Sequence, residues 1–167
     1  MVKLNCDGAS KGNRGLAGAG GLARDCQGNL IFAFYDFLDV QTNTYAELFA
    51  VVRGLQLARE RGCRQIWVET DAMAVLHLIQ KDEGDWHIQM LLTRLIVMRR
   101  GMNLLFTHVY REGNQPVDFL ANKACEEANS AILSSVQGHF ATLIRLDKVF
   151  LTFILYEHLL VLDTDIL

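Results

Sequence analysis

Apolar positions recur with two different periods along the first 130 residues, and the switches between them outline the elements. Val2 to Cys6 is a short apolar run that reads as a strand. Gly21–Asp25 and Ile31–Phe37 are two more, set around the turn Cys26-Gln27-Gly28-Asn29, which predicts a hairpin. From Tyr45 to Arg61 the period lengthens. Leu48, Val51, Val52, Leu55 and Ala58 fall on one helical face, and Gly62 is a natural stop. Gln65–Thr70 returns to strand character. Ala72–Gln80 is a helix with Val75, Leu76 and Ile79 inward, and after a polar break Ile88–Arg100 is another, with basic residues in its last turn. Asn103–Tyr110 is a strand. Pro116 opens a last helix, with Val117, Leu120, Ala121, Ala124 and Ala128 on one face.

The order β-β-β-α-β-α-α-β-α predicts an α/β fold, a mixed sheet with helices packed on its faces. Six glycines between Gly8 and Gly21 indicate a loop or a close backbone approach. Residues 1–130 read as one domain and 131–167 as an atypical apolar extension. Within that extension, Val149–Leu162 is a β-prone apolar run. Exposed, it would invite a protein partner or self-association.

Composition adds limits rather than a function. A 167-residue chain, 51% hydrophobic and 21% charged, suits one globular domain with a real core. A net charge of −3 excludes a molecule that is cationic throughout, but not an acidic site that needs cations. The four cysteines are scattered without a C-x-x-C pair, as expected of reduced thiols inside a cell. The start, MVKLNCDG, lacks a signal-peptide pattern, and no run of about 18 apolar residues marks a membrane span. The expected location is therefore intracellular, in nucleus or cytoplasm. Gly18 to Ala23 fits G-x-G-x-x-A, but it lies in a predicted hairpin rather than at the start of a helix, so no nucleotide cofactor is expected.

Four acids carry the candidate chemistry. Taken singly, each has a structural explanation. Asp7 precedes Gly8 as in a turn. Glu47 follows Thr44 at capping-box spacing. Asp71 could cap the next helix, and Asp118 lies in a first helical turn, where the dipole favours an acid. Taken together they form a pattern. Asp7 and Asp71 both follow apolar strands, and ligands of open α/β sheets bind at the carboxyl ends of strands. Glu47 and Asp118 start helices that could face the same edge. Carboxylates so gathered need protons or a divalent cation, and oxygen-only donors select a hard ion such as magnesium, or manganese in its place.

The stretches VKLNCDGASKGNRG, TNTYAEL, VETDAMAVL and HVYREGNQPVDFLA resemble, in order, the motifs of the type 1 ribonuclease H family. They are most similar to the plant ribonuclease-H-like domain associated with retroelement reverse transcriptases. The resemblance covers about residues 2–130. It implies a five-stranded mixed sheet, the first three strands antiparallel, flanked by helices. It also implies metal-dependent hydrolysis of the RNA strand of an RNA–DNA hybrid with two Mg²⁺ ions. The family's acidic quartet falls on Asp7, Glu47, Asp71 and Asp118, and its hybrid-contacting positions on Asn13, Thr42 and Asn43. Gly8 and Ser10 lie where backbone could approach an RNA sugar.

Departures from the family pattern set the alternatives. Asn13-Arg14-Gly15 replaces the usual Asn-Pro-Gly. The basic protrusion of bacterial members is replaced by KDEGDWHIQ, which weakens phosphate neutralisation. The usual mobile histidine before the last acid is absent, and Arg111 could steady the leaving phosphate instead. A catalytically weak or inactive retroelement-derived relic that still binds nucleic acid is the alternative to an active nuclease.

Overall fold

The computed structural model describes residues 1–147, so the apolar run at 149–162 lies outside the described residues. The elements are β1 Val2–Ser10, β2 Gly15–Arg24, β3 Leu30–Gln41, α1 Asn43–Glu60, β4 Gln65–Thr70, α2 Met73–Lys81, α3 Trp86–Arg99, β5 Asn103–His108, α4 Gln115–Glu127 and β6 Ala131–Leu133. A single 3₁₀ turn, Arg111–Gly113, precedes α4, and residues 138–147 are helical.

One sheet runs β5-β4-β1-β2-β3-β6. The pairs β1–β2, β2–β3 and β3–β6 are antiparallel, while β4 pairs parallel with both β1 and β5. The expected five-stranded sheet thus gains a sixth strand. β6 extends the open edge of β3 through Ala33–Leu133, Phe34–Ile132 and Tyr35–Ala131. Three residues are too few to show a period of two, and only the exposed edge of β3 makes them a strand.

Each face of the sheet carries its own core. On one face, Leu48, Val51 and Leu55 of α1 pack with Leu92 and Leu95 of α3 over Leu4, Phe32, Phe34, Ile66 and Val68. On the other, Val117, Leu120 and Ala124 of α4 pack with Phe140 and Ile144 over Leu22, Ala33 and Tyr35. Full burial of the larger of these side chains contributes about 1.5–3 kcal/mol apiece before the entropy of ordering them is set against it.

The glycine-rich stretch is mostly strand, and close approach is the reason. A Cβ on Gly18 would sit 2.4 Å from the Ala121 carbonyl oxygen, and one on Gly20 would sit 2.6 Å from that of Val117. Glycine here lets the backbone of α4 lie directly on β2.

α1 begins two residues earlier than its periodicity indicates. Thr42 is the N-cap, its Oγ1 accepting from the Tyr45 N–H at 3.2 Å. The capping box expected from Thr44 and Glu47 is therefore not formed, and Glu47 lies deeper in the helix with no capping duty. Among the described residues, no helix is long and apolar enough to cross a membrane.

Candidate metal centre

Asp7 lies within β1, opposite Gly20 of β2, and not in a turn. Its strand is central and covered on both faces, so the carboxylate is only 5% exposed. The parallel register pairs Asn5 with Glu69, and two residues further along each strand come Asp7 and Asp71. Asp71 immediately follows β4 and does not cap α2. The N-cap of α2 is Ala72, which makes no side-chain capping bond.

Glu47 reaches the same point from above the sheet, 7% exposed. Gly8 is what allows it. A Cβ at position 8 would fall 2.2 Å from the Glu47 backbone nitrogen and 2.4 Å from the Ala46 carbonyl carbon. Both are helix backbone and cannot swing away. Gly8→Ala is therefore expected to destabilise the protein by about 1–3 kcal/mol and to displace Glu47. Chemical denaturation and a metal titration of the same sample measure both effects. Unchanged values would show that α1 has room to spare.

Single carboxylate oxygens of Asp7, Glu47 and Asp71 all lie within 4.8 Å of one another. Asp118 is not in that group. It stands in the first turn of α4, where its Oδ1 accepts from Arg111 Nη2 at 3.1 Å. Its charge still reaches the cluster. Burial, then Asp71 and Asp118, push the Asp7 carboxyl up to about 8. Burial, then Asp7 and Asp71, push Glu47 up to about 9. The Gly8 N–H, donating to Asp7 Oδ1 at 2.8 Å, only partly offsets this.

The donor set fits a hard divalent cation. Its atoms are all carboxylate oxygens, and two of the three groups are held back from ionisation by burial and then by their neighbours. Glu47 Oε1 accepts from Asn43 Nδ2 at 3.3 Å, but Glu47 Oε2 is buried with no hydrogen-bond partner among the described residues. An orphaned buried acceptor in an acidic cluster is a group that a bound cation would satisfy.

The positions expected to meet a substrate connect to this cluster through Glu47, which Gly8 and Asn43 touch, and their side chains order two neighbouring loops. Ser10 Oγ donates to the Gln41 carbonyl at 2.8 Å and accepts from the Gly15 N–H at 3.2 Å. Asn13 takes a positive φ of 56°, which asparagine tolerates, and its Oδ1 accepts from the Asn43 N–H at 3.2 Å. Thr42 caps α1, and Asn43 links that loop to Glu47.

Asn114 was not marked by its sequence context. It is 1% exposed, and its Nδ2 donates to Asp71 Oδ1 at 3.1 Å and to the Cys6 carbonyl at 3.0 Å. A polar residue just before Gln115-Pro116 reads as loop. Its place one residue before a helix that also carries Asp118 was the available signal.

Residues 5–124 match the model of the reverse transcriptase-like family. A protein of Arabidopsis thaliana named for ribonuclease H is 37% identical over 125 residues, covering 74% of this chain and 20% of that protein. Ribonuclease HI of Halobacterium salinarum is 30% identical over 125 residues, covering 73% of this chain and 63% of that protein. The chain thus spans less than two thirds of either curated relative. The crystal structure of RNase H1 from the same archaeon aligns with a TM-score of 0.71 at 29% identity, over 75% of this chain and 98% of that one. LC11-RNase H1, crystallised with an RNA/DNA hybrid, shares the fold with a TM-score of 0.72 at 24% identity, over 77% of this chain and 99% of that one.

Proposed function

The chain belongs to the reverse transcriptase-like family and carries a ribonuclease H-like domain, and from that premise we propose that it is a metal-dependent endonuclease cutting the RNA strand of RNA–DNA hybrids. The observation that supports this most is the convergence of Asp7, Glu47 and Asp71, with one Glu47 oxygen left orphaned.

In this reading Asp7, Glu47 and Asp71 would hold one ion, and Asp118 would help to hold a second. Two magnesium ions, or manganese in their place, would supply Lewis-acid chemistry there, lowering the pKa of water and neutralising phosphoryl charge. The chain's own residues set the rest. Asp118, held by Arg111, orients the attacking water and accepts its hydrogen bond. Arg111 is largely exposed and, among the described residues, ion-paired with Asp118 alone, so its remaining N–H groups steady the departing phosphate. Gly8, Ser10, Asn13, Thr42 and Asn43 form the surface for the hybrid, where 2′-hydroxyls in a wide minor groove distinguish RNA from DNA. Four of these five already have ordered loops or caps to maintain, so they offer a rigid surface.

The polar break before α3, Asp82-Glu83-Gly84-Asp85, is acidic. This favours weak hybrid affinity and supports the second reading, an inactive relic that keeps the fold. One experiment separates the two. Labelled RNA–DNA hybrid, double-stranded RNA and single strands are incubated with the protein and Mg²⁺, Mn²⁺ or chelator. Cleavage of the hybrid alone, dependent on metal and reduced in Arg111→Ala, is the expected result. Absence of both cleavage and calorimetric metal binding would leave the relic.

A further inference from the structure

We propose that Asn114 is a positioning residue for Asp71, and that its orientation is set by a buried, one-way hydrogen-bond relay that starts at Arg24, which Asp147 anchors. The consequence for catalysis rests on the nuclease reading above. The relay itself does not.

The direction follows from donor chemistry. A guanidinium can only donate. Arg24 is 3% exposed, ion-paired through Nη1 with Asp147, and its Nη2 donates to Asn5 Oδ1 at 2.8 Å. That contact fixes which end of the Asn5 amide is oxygen. Asn5 Nδ2 must then face the other way, and it donates to Glu69 Oε2 at 3.1 Å and to Asn114 Oδ1 at 3.3 Å. The Asn114 amide is fixed in turn. Its two N–H bonds go to the Cys6 carbonyl, one residue before Asp7, and to Asp71 Oδ1. Turning any amide over would set donor against donor. Arg24, Asn5 and Asn114 therefore form a line of donors that runs to Asp71 in the acidic cluster.

Asp147 anchors the far end. It lies beyond residues 5–124, the stretch that matches the family model. Residues 138–147 bring it in as a helix whose Phe140 and Ile144 pack into the α4-side core. Without Asp147, Arg24 would be a buried charge lacking its ion partner, free to turn toward other acceptors and release Asn5. A segment outside the family-matching region thus takes part in holding a metal-site acid.

The test uses the full chain. Asp147→Asn removes the anchoring charge. The double variant Arg24→Met/Asp147→Leu removes both charges at similar volume, so that a buried unpaired ion does not itself unfold the protein. Ile144→Val loosens the same helical segment without touching the relay. Metal-free NMR follows the Asn114 side-chain amide, and calorimetry follows Mn²⁺ binding. Both relay variants are expected to shift or broaden the Asn114 amide signals and to weaken Mn²⁺ binding roughly tenfold, as loss of support behind a ligand does. Ile144→Val is expected to lower the melting temperature and change neither readout. Asn114 signals that stay in place in both relay variants, or that move as far in Ile144→Val, would overturn the relay. If the wild type binds no Mn²⁺, the nuclease reading fails, and the relay is still decided by the Asn114 signals.

Discussion

Asp7→Asn is expected to abolish metal-dependent hybrid cleavage while making the metal-free protein more stable. The two effects have one cause. Asp7 is buried beside Glu47 and Asp71, and its ionised form is disfavoured by that burial and then by the charges of Asp71 and Asp118. An amide keeps an oxygen to accept the Gly8 N–H, so the strand geometry survives. It removes one negative charge from the cluster, and the remaining acids ionise more easily. Stability in chelator at pH 8 should rise by on the order of 1–3 kcal/mol, seen as a higher urea midpoint. Cleavage should fall by about 10³-fold or more, equivalent to roughly 4 kcal/mol of transition-state stabilisation. An active Asp7→Asn protein would remove Asp7 from the machinery. An unchanged midpoint would show that the acids do not strain the fold.

Stability of the metal-free protein should fall as pH rises from about 4 to 9, and divalent cation should cancel the fall. The sign comes from proton counting. Unfolded carboxyl groups titrate near pH 4. In the folded chain Asp7 and Glu47 hold their protons up to about 8 and about 9. Between these limits the folded state binds more protons than the unfolded state, so raising the pH favours unfolding. The contribution is intact below about pH 4 and fully lost above about pH 9. Mg²⁺ or Mn²⁺ competes with those protons and binds more tightly as they leave, stabilising the folded state by mass action. Melting curves at pH 5, 7 and 9, with chelator and with millimolar Mn²⁺, measure both arms. Parallel curves in the two conditions would indicate that no cation enters the cluster. In Asp7→Asn the slope should be shallower, since one of the two raised groups is gone.

Much of the fold was legible because short-range physics writes it. The apolar face of α1, the hairpin of β2 and β3 and the polar breaks between helices follow from periods of 3.6 and 2.0 and from turn chemistry. The glycines of β2 were legible only as an ambiguity between loop and close approach. The distinction depends on α4, about 100 residues away in sequence, whose carbonyls stand 2.4–2.6 Å from where Cβ atoms would be. The three residues of β6 were silent because their strand character belongs to the edge they join.

The site divides in the same way. Sequence by itself determined which groups were available. It supplied four acids, each beside a strand end or in a helix start, and motifs whose order resembles one nuclease family. It could not say whether the acids meet, since Asp7 and Asp71 are neighbours only through the parallel register of β1 and β4. Glu47 joins them only because Gly8 admits the helix. Tertiary structure alone decided three further matters: that Asp118 stands apart with Arg111, that Glu47 keeps an orphaned oxygen, and that Asn114 faces Asp71. Asn114 and Asp71 are 43 residues apart, and the place of Asp118 and the surroundings of the Glu47 oxygen depend on how distant segments pack, about which a local pattern of apolar and polar residues carries no information.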